Sequence, residues 1–212
     1  MPGRNETAVV LGPRRGCPYV PIGSGWMPAD ERALARGSVR ENRFVDLEGD
    51  RVVLRTARTS DVDDLEVIFA EPDVALWWPR FDRAKIENEV LHPDEDTTVY
   101  TVAVDGEVAG VVQSWEEDDP DYRHAGMDIA LATRWHGAGV AVDALRTLAR
   151  HLVQTEGHHR LVIDPAVENR RAIACYRKVG FQPVGVMRCY ERGADGTFHD
   201  SLLMDMLATE LR

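Results

Sequence analysis

The stretch Asp128–Gly139, DIALATRWHGAG, constrains the fold of this chain more than any other. An alternating strand breaks into a turn with two glycines, and a long amphipathic helix follows. Val140, Ala144, Leu148 and Leu152 recur every four residues, with Ala141 and Leu145 on the same face. That spacing stripes one side of a helix. Gly157 is the expected stop, and the helix is expected to begin close to Gly137. The first N–H groups of any helix lack partners inside it, and glycine leaves the backbone bare. Such an end can receive phosphate through its aimed donors and the positive end of the helix dipole. An ordinary strand–turn–helix joint is the competing reading.

With 212 residues, 44% of them hydrophobic, the chain can bury a sizeable core and is read as one main domain. No apolar run is long enough to span a membrane, and no signal-peptide core is present, so a cytoplasmic protein with no membrane partner is expected. Cys17, Cys175 and Cys189 are few and odd in number, which suits a reducing compartment. The net charge of −11 argues against a nucleic-acid partner, which calls for a basic face. The charge is uneven: residues 1–48 hold seven Arg against six acids, so the whole deficit lies beyond them. Solubility alone accounts for such a bias, or else a field that draws in a cationic ligand.

Residues 1–48 lack a sustained period and are read as a partly disordered extension, with a short helix near Pro28 to Arg36. Tyr19 and Trp26 are its only large docking groups. The domain, 49–212, is expected to open with a strand at Arg51 to Thr56. A helix capped by Thr59 or Ser60 follows, then Trp77-Trp78-Pro79, then a second helix from about Asp82 to Leu91. Strands Thr97 to Val104 and Glu107 to Trp115 flank Asp105-Gly106, a strong hairpin signal. The acidic loop after Trp115 (Glu116, Glu117, Asp118, Asp119, Asp121) is either a solvated loop or a collector of polycations. Then come a strand Ala125 to Thr133, the long helix, a short strand Arg160 to Asp164 and a helix Glu168 to Val179 closed by Gly180. Two last strands, Phe181 to Tyr190 and Thr197 to Leu207, end the chain. Without a βα repeat, this order predicts an α+β fold: a mixed, mostly antiparallel sheet of about seven strands flanked by about four helices.

The order of elements and two local strings resemble the GNAT N-acyltransferases. RWHGAG is similar to their pyrophosphate loop, Gln or Arg followed by x-x-Gly-x-Gly/Ala, and ENRRAIACYRKVGF to their fourth-helix signature about thirty residues on. The resemblance covers about residues 51–207. It implies acetyl-CoA as co-substrate, with cofactor contacts from Ile129, Ala130, Arg134, Gly137, Ala138, Gly139, Val140, Ala141, Asn169 and Ala172. The chain looks most like the aminoglycoside 6′-N-acetyltransferases, through Trp77-Trp78, Gln113-Ser114, the acidic EEDDP, Asp128 within GMD, and Asp164-Pro165. That similarity implies Trp77, Trp78, Gln113, Asp128 and Asp164 as substrate-binding residues, and a small cationic amine as partner. Trp135-His136 and Val140-Ala141 depart from the loop pattern. The resemblance implies a monomer or a homodimer.

N-acetylation by direct transfer requires few groups. A carboxylate beside a cationic amine can orient it and accept its proton through a water, the role expected of Asp128. Backbone N–H groups of Ile129 and Ala130 are expected to face the thioester oxygen. Tyr176, a phenol with an ordinary pKa near ~10, stays protonated at neutral pH and can donate to the leaving sulfur. It also sits on an apolar stripe with Ala172, Cys175 and Val179, which would bury it in any case. Asn169 starts its helix and can cap it, contact the cofactor, or both. Arg170 and Arg171 near the same end are candidates for cofactor phosphates. His158-His159 and His199-Asp200 lack further ligands at metal spacing, so no metal is expected. Two other functions fit the same residues: acylation of a different amine, and acyl-CoA binding without turnover.

Overall fold

The computed structural model describes residues 19–22, 25–28, 45–79 and 81–211. It divides into two units, Met1–Glu41 and Asn42–Arg212. The first contains a two-stranded antiparallel hairpin of β1 (Tyr19–Ile22) and β2 (Gly25–Pro28), with Pro21 opposite Trp26. The expected helix near Pro28 to Arg36 falls outside the described residues, apart from Pro28, which ends β2.

The second unit is one eight-stranded sheet. Its strands are β3 (Leu47–Glu48), β4 (Val53–Thr56), β5 (Thr97–Val104), β6 (Glu107–Glu117), β7 (His124–Leu131), β8 (Arg160–Ile163), β9 (Gln182–Arg192) and β10 (Phe198–Leu207). They lie in the order β3-β4-β5-β6-β7-β8-β10-β9, and every pair is antiparallel except β7 with β8. The sheet therefore exceeds the expected seven strands, partly because Leu47 and Glu48 pair with Leu54 and Val53, ahead of the expected domain start. The Asp105-Gly106 turn has φ of 52° and 83°, the left-handed pair that matches strand twist.

Among the described residues, five α-helices accompany the sheet: α1 (Val62–Ala70), α2 (Pro72–Ala75), α3 (Arg83–Lys85), α4 (Val140–Gln154) and α5 (Arg170–Val179). The expected helix from Asp82 to Leu91 is present with a change of pitch. Its first turn is α3, capped by the Asp82 carboxylate, and Ile86–Val90 continues as a wider π turn.

Alternation along the strands explains why helices cover both faces. Tyr100, Val102 and Val112 point into one core with Leu145, Leu148 and Tyr176, while Val99 and Val111 point into a second with Leu65, Phe69 and Ile86. Asp61 is buried at 3% exposure, where Arg55 grips it with two hydrogen bonds of 2.7 and 2.8 Å and Thr101 donates a third at 3.0 Å. Burial by itself would raise the Asp61 pKa, but these donors and the Arg55 charge hold it below the usual carboxylate range.

Candidate active site

The parallel pair β7–β8 creates the site. Pairing is confined to Ala125 with Leu161 and Gly126 with Val162, after which β7 runs on to Leu131 and β8 ends at Ile163. The two strands part, and a cleft of about 1060 Å3 opens along the gap. Gly126 permits the junction, because a Cβ there would lie 2.0 Å from the Trp115 ring.

Asp128 lies on β7 opposite Gln113 of β6, whose amide donates to it at 3.2 Å. Asp164 follows directly from the end of β8, and Tyr190 and Glu191 come from β9; all of them line the cleft. Burial, reinforced by the negative charges of Asp164 and Glu191, pushes Asp128 up to about 6, with the Gln113 hydrogen bond opposing. Tyr190 is pushed up to about 12, first by burial and then by its hydrogen bond to Asp164. Glu191 is also raised, by burial and by Asp164. Tyr176 is 7% exposed, with Phe181 edge-on to its ring, and burial drives its pKa far above the ordinary phenol value. Its hydroxyl therefore keeps its proton across the physiological range.

The other arm of the cleft is the glycine turn. Thr133–Trp135 forms a 3-10 turn, Gly137 and Gly139 take φ of 77° and 86°, and α4 begins at Val140. This start is later than expected, because Gly139 in the left-handed region serves as N-cap. No side chain caps the helix, and the first intrahelical bond runs from the Asp143 N–H to the Gly139 carbonyl. The N–H groups of Gly139, Val140, Ala141 and Val142 therefore lack helical acceptors. A Cβ at Gly137 would meet nothing within 4 Å, so these glycines serve their backbone angles and leave open space above the turn. Two clamps hold the turn. Asp143 accepts from the N–H groups of Asp50, Arg51 and Val52 at 3.1, 2.7 and 3.1 Å, and the Arg51 guanidinium donates to the Ala138 carbonyl.

Residues 51–182 match the family model of the acetyltransferase (GNAT) domain. The chain belongs to the GNAT acetyltransferase family. It is an acetyltransferase, with acetyl-CoA as its co-substrate. It is 29% identical over 157 residues to the aminoglycoside N(6′)-acetyltransferase type 1 of Klebsiella pneumoniae, covering 65% of this chain and 77% of that one. The L-amino acid N-acetyltransferase of Escherichia coli K12 is 26% identical over 153 residues, 66% of this chain and 88% of that protein. The structure of AAC(6′)-Ib with paromomycin and acetyl-CoA superposes with a TM-score of 0.63 at 26% identity, over 76% of this chain and 97% of that one.

The GNAT cleft gathers most residues expected from sequence: Trp77, Trp78, Gln113, Asp128 and Asp164 on one side, Ile129, Gly137, Gly139, Ala141, Asn169, Ala172 and Tyr176 on the other. Trp78 also packs against Phe69 and Phe81, with centroids 5.6 and 5.4 Å away, so one of the adjacent tryptophans serves the core as well as the cleft. The Asn169 side chain caps α5 by accepting from the Ala172 N–H at 3.0 Å. Arg171 lies 3.4 Å from Asp73 across the cleft mouth.

Four of the expected cofactor residues are held in ways the sequence does not show. The Arg134 guanidinium turns away from the cleft, onto Glu107 at 3.1 Å and the Trp135 ring, because β6 brings an acid beside it. The Val140 side chain is fully buried in the core, leaving only its N–H to the turn. Ala138 is held by its carbonyl to Arg51 and by its N–H to Trp135, at 3.3 Å for the latter. Ala130 lines the cleft, but its N–H faces the other edge. The Ala132 N–H donates to Ala109 of β6, and alternate strand residues share an edge, so Ala130 also turns toward β6 while Ile129 turns toward the gap. The acidic loop contributes no residue from 116–121 to the described cleft lining; Glu117 and Asp119 accept from nearby backbone N–H groups instead.

Sequence reasoning missed Tyr190 and Glu191. Cys189 takes φ 50° and the β9–β10 register shifts between His199 and Ser201, a bulge that re-aims the next residues. No glycine marks that turn, so strand alternation alone could not find it. The free thiol of Cys175 is half-buried and raised by burial, which suits packing and not nucleophilic attack.

Proposed function

We propose that this acetyltransferase acts on a primary amine of a small polycation, the 6′-amino group of an aminoglycoside, by direct transfer from acetyl-CoA. The observation that carries the reading is the acid-lined cleft. The negative charges of Asp164 and Glu191 raise the proton affinity of Asp128, and that of Asp164 raises the proton affinity of Glu191; a bound ammonium relieves the same repulsion that a proton does. Similarity to an aminoglycoside N(6′)-acetyltransferase at 29% identity supports the antibiotic class.

The fit to acetyl-CoA rests on the uncapped N-terminus of α4, with open space above Gly137 and a cleft continuous from there to Asp128. Backbone N–H groups of Gly139, Ala141 and Val142 would receive the diphosphate, and the edge of β7 at Ile129 would receive the amide-bearing arm. When bound, the co-substrate supplies an activated acetyl thioester. Asp128 holds the incoming ammonium and, through water, takes its proton. The Ile129 N–H would face the acyl oxygen, and the Tyr176 hydroxyl would give a proton to the departing sulfur. Trp77 and Trp78 offer apolar faces to the sugar rings, and Gln113 holds Asp128 in place.

A zwitterionic amino acid fits this cleft poorly, since its carboxylate would face three acids. A linear polyamine shares the required charge but has no ring for the tryptophans. Thiol release should therefore be measured against aminoglycosides, spermidine, L-amino acids and lysine peptides. Turnover confined to amino acids or peptides would overturn the proposal, and absence of turnover with every amine would leave an acyl-CoA binder. The free thiols of Cys175 and Cys189 support a reducing cytoplasm. Among the described residues no helix is long and apolar enough to cross a membrane.

A further inference from the structure

Away from the cleft, at the far end of α4, a second group of titratable side chains has no part in acetyl transfer. Glu116 lies near the end of β6, and Glu156 and His158 lie on the turn between α4 and β8. One ligand atom from each lies within 4.8 Å of the others. His158 Nε2 is 3.7 Å from a carboxylate oxygen of each glutamate. The side chains are largely buried, with exposures of 0% for His158, 7% for Glu156 and 17% for Glu116. Both ring nitrogens of His158 are buried without a hydrogen-bond partner.

An imidazole with both nitrogens buried and unbonded is a costly arrangement for a folded chain. A buried imidazole normally bonds through at least one nitrogen. Here the carboxylates converge on an imidazole nitrogen that the hydrogen-bonding network leaves unused. The surroundings are also fixed in place. The Arg123 guanidinium donates to the carbonyls of Glu156 and Gly157 at 2.9 and 3.0 Å, and the His158 N–H to the Leu152 carbonyl at 2.9 Å. His151, on the last turns of α4, places its Nε2 3.1 Å from the other oxygen of Glu156. That is where an outer partner orients a ligating carboxylate.

We propose that Glu116, Glu156 and His158 form a binding site for a divalent transition-metal ion of the zinc type, with His151 positioning Glu156. Two oxygens and one imidazole nitrogen are ligands such an ion accepts, with water completing four-coordination. Ligands about 2.0–2.1 Å from a tetrahedral ion lie about 3.3 Å from one another. The 3.7 Å separations of His158 from both glutamates exceed this by a few tenths of an ångström, and the two carboxylates, within 4.8 Å of each other, would draw together on the ion. The role is structural. The ion ties the turn that ends α4 to the end of β6, fixing the helix at the end opposite its glycine turn.

The test uses full-length, tag-free protein, stripped with a chelator and checked by circular dichroism to remain folded. Zn2+ is titrated calorimetrically, and Co2+ is followed by visible absorption. One ion per chain is expected, with tetrahedral d–d bands for Co2+. Melting temperature should rise by about 5–10 °C at a hundredfold excess of Zn2+ over Kd. Glu116→Gln, at the most exposed ligand, should keep the fold and weaken Zn2+ binding by about 100-fold or more. His158→Asn should do the same and abolish the Co2+ bands. His199→Ala, at the exposed His199–Asp195 pair, should leave binding unchanged. The proposal is overturned by wild-type protein that binds no Zn2+ or melts at the same temperature with it. It is equally overturned by Glu116→Gln and His158→Asn variants that bind as tightly as wild type, or by loss of binding in His199→Ala.

Discussion

Asp128→Asn should stabilise the protein while disabling it. The native carboxyl titrates at about 6 against an ordinary 3.8, so the folded state holds a proton more tightly than the unfolded chain. The sign follows from linkage: an acid whose pKa is raised on folding costs nothing while both states are protonated. The cost builds as pH climbs from about 4 to about 6, and is complete above about pH 7. At about 1.4 kcal/mol per pH unit, ionised Asp128 costs roughly 0.6 kcal/mol at pH 4, roughly 1.6 at pH 5 and roughly 3 at pH 8. Asparagine carries no charge and can still accept from the Gln113 amide, so the variant avoids that cost. In ligand-free protein, its melting temperature should exceed wild type by roughly 6–12 °C at pH 8, a margin shrinking to a degree or two near pH 4. Wild-type kcat/KM should rise with pH and level off above about 6–7, because the base acts only when ionised. In the variant, kcat/KM should fall by about 10²–10⁴-fold. Scanning calorimetry across pH and a thiol-release assay read the two halves separately. A stability difference that does not change with pH refutes the burial argument, and near-normal kcat/KM in the variant refutes the role as base.

Tyr176→Phe should lower kcat by about 10²-fold or more while acetyl-CoA KM stays within twofold, since the ring stays packed on Phe181 and only the proton donor is lost; unchanged kcat would remove the hydroxyl from the reaction. Gly139→Val forces a β-branched residue to φ 86°, costing about 1–3 kcal/mol and raising acetyl-CoA KM about tenfold or more, read by melting and steady-state kinetics. Asp61→Ala leaves Arg55 buried without its partner and should cost about 3–5 kcal/mol in urea unfolding at neutral pH. Because the Asp61 pKa is depressed, that penalty should shrink as pH falls below about 4, where wild type loses the same interaction.

Much of the cleft's floor is legible in the sequence. Every-fourth-residue periodicity placed α4 to within two or three residues at each end, and Asp105-Gly106 marked its hairpin. The expected α+β class and mixed sheet are present, as are Trp77, Trp78, Gln113, Asp128 and Asp164 around one cleft. What escaped was direction. Arg134 reads as a phosphate ligand, yet Glu107 lies a hairpin away in sequence and beside it in space. Ala130 and Ile129 are adjacent in sequence, but sheet order decides which of them faces the gap. Asp143 looks like any exposed first-turn acid until the loop at Asp50–Val52 folds onto it.

Local chemistry was therefore the sequence's own contribution: alternation that makes strands, stripes that make helices, and glycines that reach positive φ. These depend on neighbours within a few residues, so a linear reading captures them. Which acids share a cleft, and what that sharing does to their protons, was settled only by the fold. Desolvation and Coulomb forces act through space, and Asp128 on β7, Asp164 just past β8 and Glu191 on β9 are gathered only by the cleft that opens where β7 and β8 part.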